Sequence, residues 1–402
     1  MRLPLRRSVN PTDKVAIAGE GDEVLCPLCG AAGLREVCEA RDPRYALPAL
    51  FRIFWCSRCE IASTHPRLST DDRRAYYPDE YEPYQEEPSG LTHSRIHRLL
   101  LAAEQRFGPA ATDSVSPGSL LDVGCGNGRY MAAMAVRGFS VQGVEMSRKA
   151  AEVVTRLGFP VVVGEFLQVS LAQDSFDVVT MNHFLEHSSD PRKNLERAHA
   201  LLKRRGRLVV GVPNFASWAR RHFGRNWSDL EVPRHAFHFT PRGLVRLLNE
   251  SGFHVDFVRF VPAADAGSLV TSILVRYGKR NDPLVRRLYP VLHAACYPVG
   301  LPLSLLQCSA WIRVFATKLE GARYGSPAAE TRSRLADSLG GTKSASDTLG
   351  TGPSGNLRRL YTLVGSSPAR GRDRFGRRHS LASPGVSRRS HSFGAICSRI
   401  PV

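Results

Sequence analysis

The chain has 402 residues, 43% of them hydrophobic, enough for one full α/β domain with accessory segments and a large core. Its formal charge of +18 points toward polyanions. Residues 321–402, however, hold 14 Lys/Arg against 4 Asp/Glu, so more than half of the excess lies in the last fifth and nucleic acid is not the expected partner. The N-terminus, Met1-Arg-Leu-Pro-Leu-Arg-Arg, is basic but no apolar run follows, which excludes a secretory signal. No stretch of about 20 uninterrupted apolar residues occurs, so a simple transmembrane span is not expected and the cytoplasm is the default location.

Residues 1–21 are polar and read as a loose N-terminus. Residues 22–65 read as a small zinc-ribbon-like module. Cys26-Pro-Leu-Cys29 and Cys56-Ser-Arg-Cys59 repeat one spacing, and four thiolates at about 2.3 Å close a tetrahedral structural Zn2+ site with no position left to activate water. The alternative is four thiols buried as small hydrophobes. Residues 66–108 form a linker that begins with the aromatic and acidic run Tyr76–Tyr84. A helix follows, in which Ile96, Leu99, Leu100 and Ala103 share one face.

Residues 109–320 alternate strand and helix signals, the pattern of a parallel sheet covered on both faces. Strands are expected at 119–123, 139–144, 161–163, 176–181, 207–212 and 253–261, with a short last one at Trp311–Thr317. Ser147, Asp190-Pro191 and Thr240-Pro241 are helix starts, and Gly138, Gly158, Gly206 and Gly252 are stops. Residues 262–309 read as a helical insertion outside the core. Within it Leu288–Leu306 is apolar but interrupted by Pro290, Pro298 and Pro302, and the stretch 276–306 holds Arg276, Lys279, Arg280, Arg286 and Arg287. This segment either packs over the substrate mouth, makes a dimer contact, or touches a membrane surface peripherally. Residues 321–402, rich in Ser, Gly and Arg, read as a disordered basic tail.

The most specific signal is Leu120-Leu-Asp-Val-Gly-Cys-Gly-Asn-Gly-Arg129 between a strand and a helix. Gly124, Gly126 and Gly128 let the backbone turn sharply and approach a ligand. A dinucleotide site would place its third glycine one residue later, where Arg129 stands. Asp122, two residues before the first glycine, would repel phosphate but suits the cationic, amine-bearing methionine part of S-adenosyl-L-methionine. Glu145, ending the second strand, can accept both hydroxyls of a ribose. Glu165 is placed to meet the adenine amine, with Phe166 as an apolar wall. Cys125, Met146 and Asn182 complete the expected cofactor set.

With Phe176-Asp-Val-Val, Leu185-Glu-His, Leu201-Leu-Lys and Arg207-Leu-Val-Val-Gly-Val-Pro-Asn, this segment resembles the class I S-adenosylmethionine-dependent methyltransferase superfamily over residues 110–262. The resemblance implies a Rossmann-like, doubly wound seven-stranded sheet whose final strand, Trp311–Thr317, is antiparallel. The chain departs from the family in carrying Arg205-Gly206 where Gly-Gly is usual. A zinc module ahead of this pattern resembles bacterial methyltransferases of sugars and glycan-like or polyketide metabolites, in which a tyrosine-rich stretch covers the active-site mouth. Ribosomal-RNA methyltransferases with an N-terminal zinc finger have much tighter ligand spacing. A related quinone-type O-methyltransferase family carries two acidic residues and a histidine where this chain has His183, Glu186 and His187.

Methyl transfer needs an aligned nucleophile and a base for its proton. The candidate bases are His183, His235 and His238, near the carboxyl ends of strands four and five, with His235 favoured because Phe237 and Phe239 flank His238. Each could instead cap or pack. The expected activity is O-methylation of a sugar, glycan precursor or secondary metabolite. The alternatives are an RNA methyltransferase, a sugar C-methyltransferase and a non-catalytic cofactor-binding scaffold.

Overall fold

The computed structural model describes residues 23–320, apart from 43, 46–48, 70–71, 74, 78–116 and 281. The expected loose N-terminus, the helix through Ile96, most of the aromatic run and the basic tail lie outside the described residues.

Two sheets carry the fold. The larger is built on β4 (Ser119–Val123), β5 (Ser140–Glu145), β6 (Val161–Val163), β7 (Phe176–Asn182), β8 (Leu202–Pro213), β10 (Phe253–Phe260) and β11 (Trp311–Lys318). Their order is β10-β11-β8-β7-β4-β5-β6. β11 is antiparallel to both neighbours, while β7, β8, β4, β5 and β6 pair in parallel. This is the expected seven-stranded arrangement, antiparallel last strand included.

Helices α1 (Arg129–Val136), α2 (Arg148–Arg156), α3 (Pro191–Leu201), α4 (Trp218–Phe223) and α5 (Pro241–Glu250) begin largely as their sequences dictate. The side chains of Ser147, Asp190 and Thr240 accept the backbone N–H of Ala150, Lys193 and Gly243, each satisfying a first-turn donor. The two-residue alternation of the strands divides the core. Leu120, Val178, Val209 and Phe315 pack with Met131, Met134 and Val154 of α1 and α2. Leu121, Val179, Leu208 and Val210 pack with Leu195, Ala198, Leu244 and Leu247 of α3 and α5.

Two expectations need correction. Gly206 does not close α3. The helix stops at Leu201, and β8 starts at once because Leu202, fully buried, pairs with Phe176. Residues 262–309 are also not wholly outside the core. They form α6 (Pro262–Arg276), α7 (Pro283–Cys296) and α8 (Gly300–Leu305). α6 buries Ala263, Ala264, Ala266, Leu269 and Val270, and its Ser268 and Ser272 hydroxyls bond Trp227 Nε1 and the Ser228 N–H at 3.0 Å each.

The smaller sheet joins the cysteine segment to the larger body. β1 (Arg35–Arg41), β2 (Leu50–Cys56) and β3 (Ile61–His65) form an antiparallel meander. β3 then pairs with β9 (Phe237–Phe239), which belongs to the segment between β8 and α5. A buried ion pair reinforces the joint: Arg234 donates to both oxygens of Asp42 at 2.7 and 2.9 Å, and its Nε lies 3.2 Å from Glu231. A charge pair taken out of water is stable only when fully hydrogen-bonded, and removing one partner leaves the other uncompensated. Asp42→Ala is therefore expected to cost about 3 kcal/mol, read as a lower urea midpoint, whereas the exposed pair Arg204–Glu320 should be replaceable with little change.

Candidate active site

The alternation that buries Leu120 and Val178 against α1 carries Asp122 and Thr180 onto the same face two residues later. There the row continues through Asn182, Gly211 and Arg313, which are in register across β7, β8 and β11. Along this face the sheet changes from apolar to polar at its carboxyl end. Asp122 accepts the Thr180 hydroxyl at 2.6 Å and is buried. Burial pushes its carboxyl up to about 7; the Thr180 hydrogen bond and the Arg313 charge oppose the shift, and Glu145 adds to it. Both polar atoms of the Asn182 side chain are buried without a hydrogen bond of good geometry. Gly211 leaves the strand bare between them: a Cβ there would stand 3.1 Å from Asn182 Oδ1 and 3.8 Å from Arg313 Nε.

The glycine loop folds over this row. Gly124, Gly126 and Gly128 all have left-handed backbones, with φ of 71°, 53° and 77°, which a side chain would resist. A Cβ on Gly124 would also meet Phe184 Cδ2 at 2.8 Å. Glu145 organises the loop by accepting the Gly126 N–H at 2.9 Å and the Ser147 N–H at 2.8 Å. Burial raises its carboxyl, and the Ser147 and Gly126 amides hold the rise in check.

Asp122, Gly124, Cys125, Gly126, Gly128, Glu145 and Asn182 thus converge at the carboxyl ends of β4, β5 and β7. Met146 follows Glu145 and is half-buried. Glu165 sits at the rim, where its carboxylate accepts Gln168 at 3.0 Å. Phe166 does not line the loop as an open wall. It is buried in the core, edge-on to Phe184 with ring centroids 6.0 Å apart. Phe184, which the sequence did not single out, is the ring against Gly124; its place directly after β7 was the available signal.

The histidines gather just beyond β7. His183 takes a left-handed conformation, φ 51°, and its N–H donates to Gly211 O at 2.8 Å. Its Nδ1 lies 3.1 Å from Glu186 Oε1, and its side chain is 38% exposed, open enough for an acceptor to reach. Burial alone would raise the Glu186 carboxyl, but the His183 hydrogen bond and the neighbouring imidazoles hold it below the usual range. Glu186 is thus ionised, and its Oε2 is buried without a partner.

His235 Nδ1 faces the Asp229 carbonyl at 2.8 Å. A carbonyl only accepts, so Nδ1 carries a proton, while Nε2 lies 3.5 Å from the Glu231 carboxylate. His187 packs on His235 with ring centroids 4.6 Å apart, and its Nδ1 meets the Tyr77 hydroxyl at 2.8 Å. Burial and the neighbouring His235 depress His187 to about 3, so it is neutral. Ligand atoms of Glu186, His187 and His235 lie within 4.8 Å of one another, a set able to hold a divalent ion. His238 differs from the others. The Thr64 hydroxyl donates its one proton to His235 O at 2.7 Å, so the 2.9 Å contact requires His238 Nε2–H to donate to Thr64. That nitrogen has no lone pair to offer.

The cysteines of the small sheet also meet. Cys26 and Cys59 have their sulfurs 3.8 Å apart, Cys29 and Cys56 3.7 Å, and all four lie within 4.8 Å. The hydrogen bond from Cys59 pulls the Cys26 thiol down to about 5 despite burial, and the same contact with burial pushes Cys59 up.

Residues 92–257 match a family described as a methyltransferase domain. The ubiquinone biosynthesis O-methyltransferase of Histophilus somni is 30% identical over 165 residues, 35% of this chain and 69% of that protein. An uncharacterised Methanocaldococcus jannaschii protein is 22% identical over 178 residues, 44% of this chain and 78% of its own. Among solved structures, the 1,6-didemethyltoxoflavin-N1-methyltransferase of Burkholderia thailandensis, crystallised with S-adenosylhomocysteine, aligns over 67% of this chain and 96% of its own at 17% identity, with a TM-score of 0.39. The carboxyl-end glycine loop, the sheet order with its antiparallel β11, the methyltransferase-domain match and the Histophilus relative agree: the chain belongs to the class I S-adenosylmethionine-dependent methyltransferases.

Proposed function

We propose that the protein methylates a hydroxyl of a small molecule, a sugar, glycan precursor or related secondary metabolite. The observation that carries this reading is the His183–Glu186 pair directly after Asn182. A hydroxyl is a poor nucleophile until its proton is taken, and an imidazole nitrogen with a lone pair is suited to take it. Ionised Glu186 holds His183 Nδ1–H, which leaves Nε2 as the acceptor on a side chain that is 38% exposed. The left-handed backbone at His183 is a strained conformation kept by its bond to Gly211, the kind of constraint that clusters at active sites. His235 is buried, with Nδ1 on the Asp229 carbonyl and Nε2 toward Glu231, so neither nitrogen is open to an acceptor. The O-methyltransferase name of the Histophilus relative supports transfer to oxygen.

S-adenosylmethionine supplies a methyl group on a sulfonium. The site fits it through a loop without Cβ atoms, two buried carboxylates and an orphaned amide. In this reading Glu145 exchanges its loop amides for ribose hydroxyls, and Asp122 and Asn182 face the amine-bearing methionine end. Met146, Glu165 and the ring of Phe184 border the base.

The four cysteines fit a structural zinc. A tetrahedron with Zn–S bonds of about 2.3 Å has sulfur–sulfur edges of about 3.8 Å, matching the two measured separations of 3.8 and 3.7 Å. Its work would be to hold β2 and the turn before β3, and through β3 the strand β9 that follows His235.

His183→Ala is expected to lower kcat by about 10²- to 10⁴-fold with the Kd for S-adenosylmethionine unchanged. An unchanged kcat would remove His183 as the base. Because Asp122 sits near 7, its ionised form, which attracts the ligand's ammonium, predominates above that pH and is lost below it. Calorimetry should find S-adenosylmethionine binding weakened about tenfold between pH 8 and pH 6, with the dependence flattened in Asp122→Asn. Purified protein should contain about one zinc per chain, and stripping it should lower Tm; metal-free protein with the same Tm would refute the zinc assignment.

A further inference from the structure

The helical segment after α6 carries an anomaly that the methyltransferase reading does not use. Along α7 and α8, Val285, Tyr289, His293, Gly300 and Leu303 lie on the partly or fully buried side. Gly300 shows how close this side comes to the body: a Cβ there would stand 2.1 Å from the Pro262 carbonyl oxygen. The opposite side is equally apolar and faces outward. Leu284, Leu288, Val291, Leu292, Val299, Leu301 and Leu305 recur at helical spacing, and Val291 and Leu305 are 67% and 76% exposed. The helical stretch Arg287–Leu305 has a mean hydropathy of 1.2, yet only 11% of it is buried. A helix apolar on both faces belongs in a protein core or against lipid, and this one is covered on one face only.

The charge around the exposed stripe selects the occupant. Residues 273–306 contain five Lys/Arg and one Asp. Arg276, Lys279 and Arg287 are exposed, beside Tyr277 at 69% exposure, an aromatic with a polar tip suited to a headgroup layer. A second copy would bring the same positive charge against itself, and the chain's own residues 321–402 are also basic. An apolar stripe rimmed by cations complements an anionic lipid bilayer. We infer that α7 and α8 form an interfacial membrane-docking surface, lying in the plane of an anionic bilayer with the exposed stripe among the acyl chains and Arg276, Lys279 and Arg287 at the phosphates. The face packed against the protein keeps the segment from crossing.

Flotation of the full chain with phosphatidylglycerol/phosphatidylcholine vesicles, and with phosphatidylcholine alone, tests this. Wild type is expected to float with the anionic vesicles, less so at high salt. The double variant Val291→Glu/Leu305→Glu should weaken binding by about tenfold or more while keeping its S-adenosylmethionine affinity. Equal flotation of that variant would assign vesicle binding to the basic tail and overturn the proposal. So would a wild type that does not float. A wild-type dimer that the variant dissociates, with no vesicle binding, would give the stripe to a second copy. None of these outcomes touches the acceptor chemistry, which is tested separately through His183.

Discussion

The contact on which the site depends is the ion pair between Arg234 and Asp42, both almost completely removed from water. Its two ends come from segments 192 positions apart, one in the cysteine-bearing meander and one in the loop between β8 and α5. Glu231 completes the network: burial opposes its ionisation, but Arg44 and Arg234 outweigh burial and hold it charged. The ion pair ties the 228–240 loop to the meander. The consequences run outward from there. The Arg234 carbonyl touches His187 Nδ1 at 3.2 Å, Ala236 N–H bonds Glu186 O at 2.8 Å, and β9 pairs with β3. The histidines are therefore held jointly by the small sheet and the catalytic body.

The site contains three buried carboxylates whose environments set them to different tasks. Asp122 has one hydroxyl partner and little else, so burial keeps it near neutrality in titration. Glu145 has two backbone N–H donors that a ligand hydroxyl pair can replace. Glu186 has imidazoles around it and stays ionised. The same residue chemistry thus gives a carboxyl near neutrality, an acceptor that organises the glycine loop and an anion among imidazoles, separated only by what each accepts.

The large sheet was legible in the sequence because its determinants are local. Alternating apolar residues in β4, β7 and β8, the caps at Ser147, Asp190 and Thr240, and a glycine loop that tolerates no side chain act within a few residues of themselves. The glycine loop, Asp122 and Glu145 were legible for the same reason: their spacing along the chain is their geometry. The boundary between α3 and β8 was not, since the pairing of Leu202 with Phe176 overrode the glycine at 206.

By itself, then, the sequence determined where the strands fall along the chain, the antiparallel last strand implied by family resemblance, the glycine loop between β4 and α1 and the gathering of the four cysteines into one cluster. Only the tertiary structure decided how each histidine is partnered. That depends on Thr64 donating to His235 O, on Asp229 O facing His235 and on Glu186 facing His183. It also decided that Phe166 turns inward while Phe184 meets the glycine loop, and that β3 and β9 share a sheet. The physical reason is range. Periodicity, capping and glycine conformation are properties of neighbouring residues, whereas a tautomer, a buried ion pair or an exposed apolar stripe is defined by partners brought together, or withheld, only when the whole chain has packed.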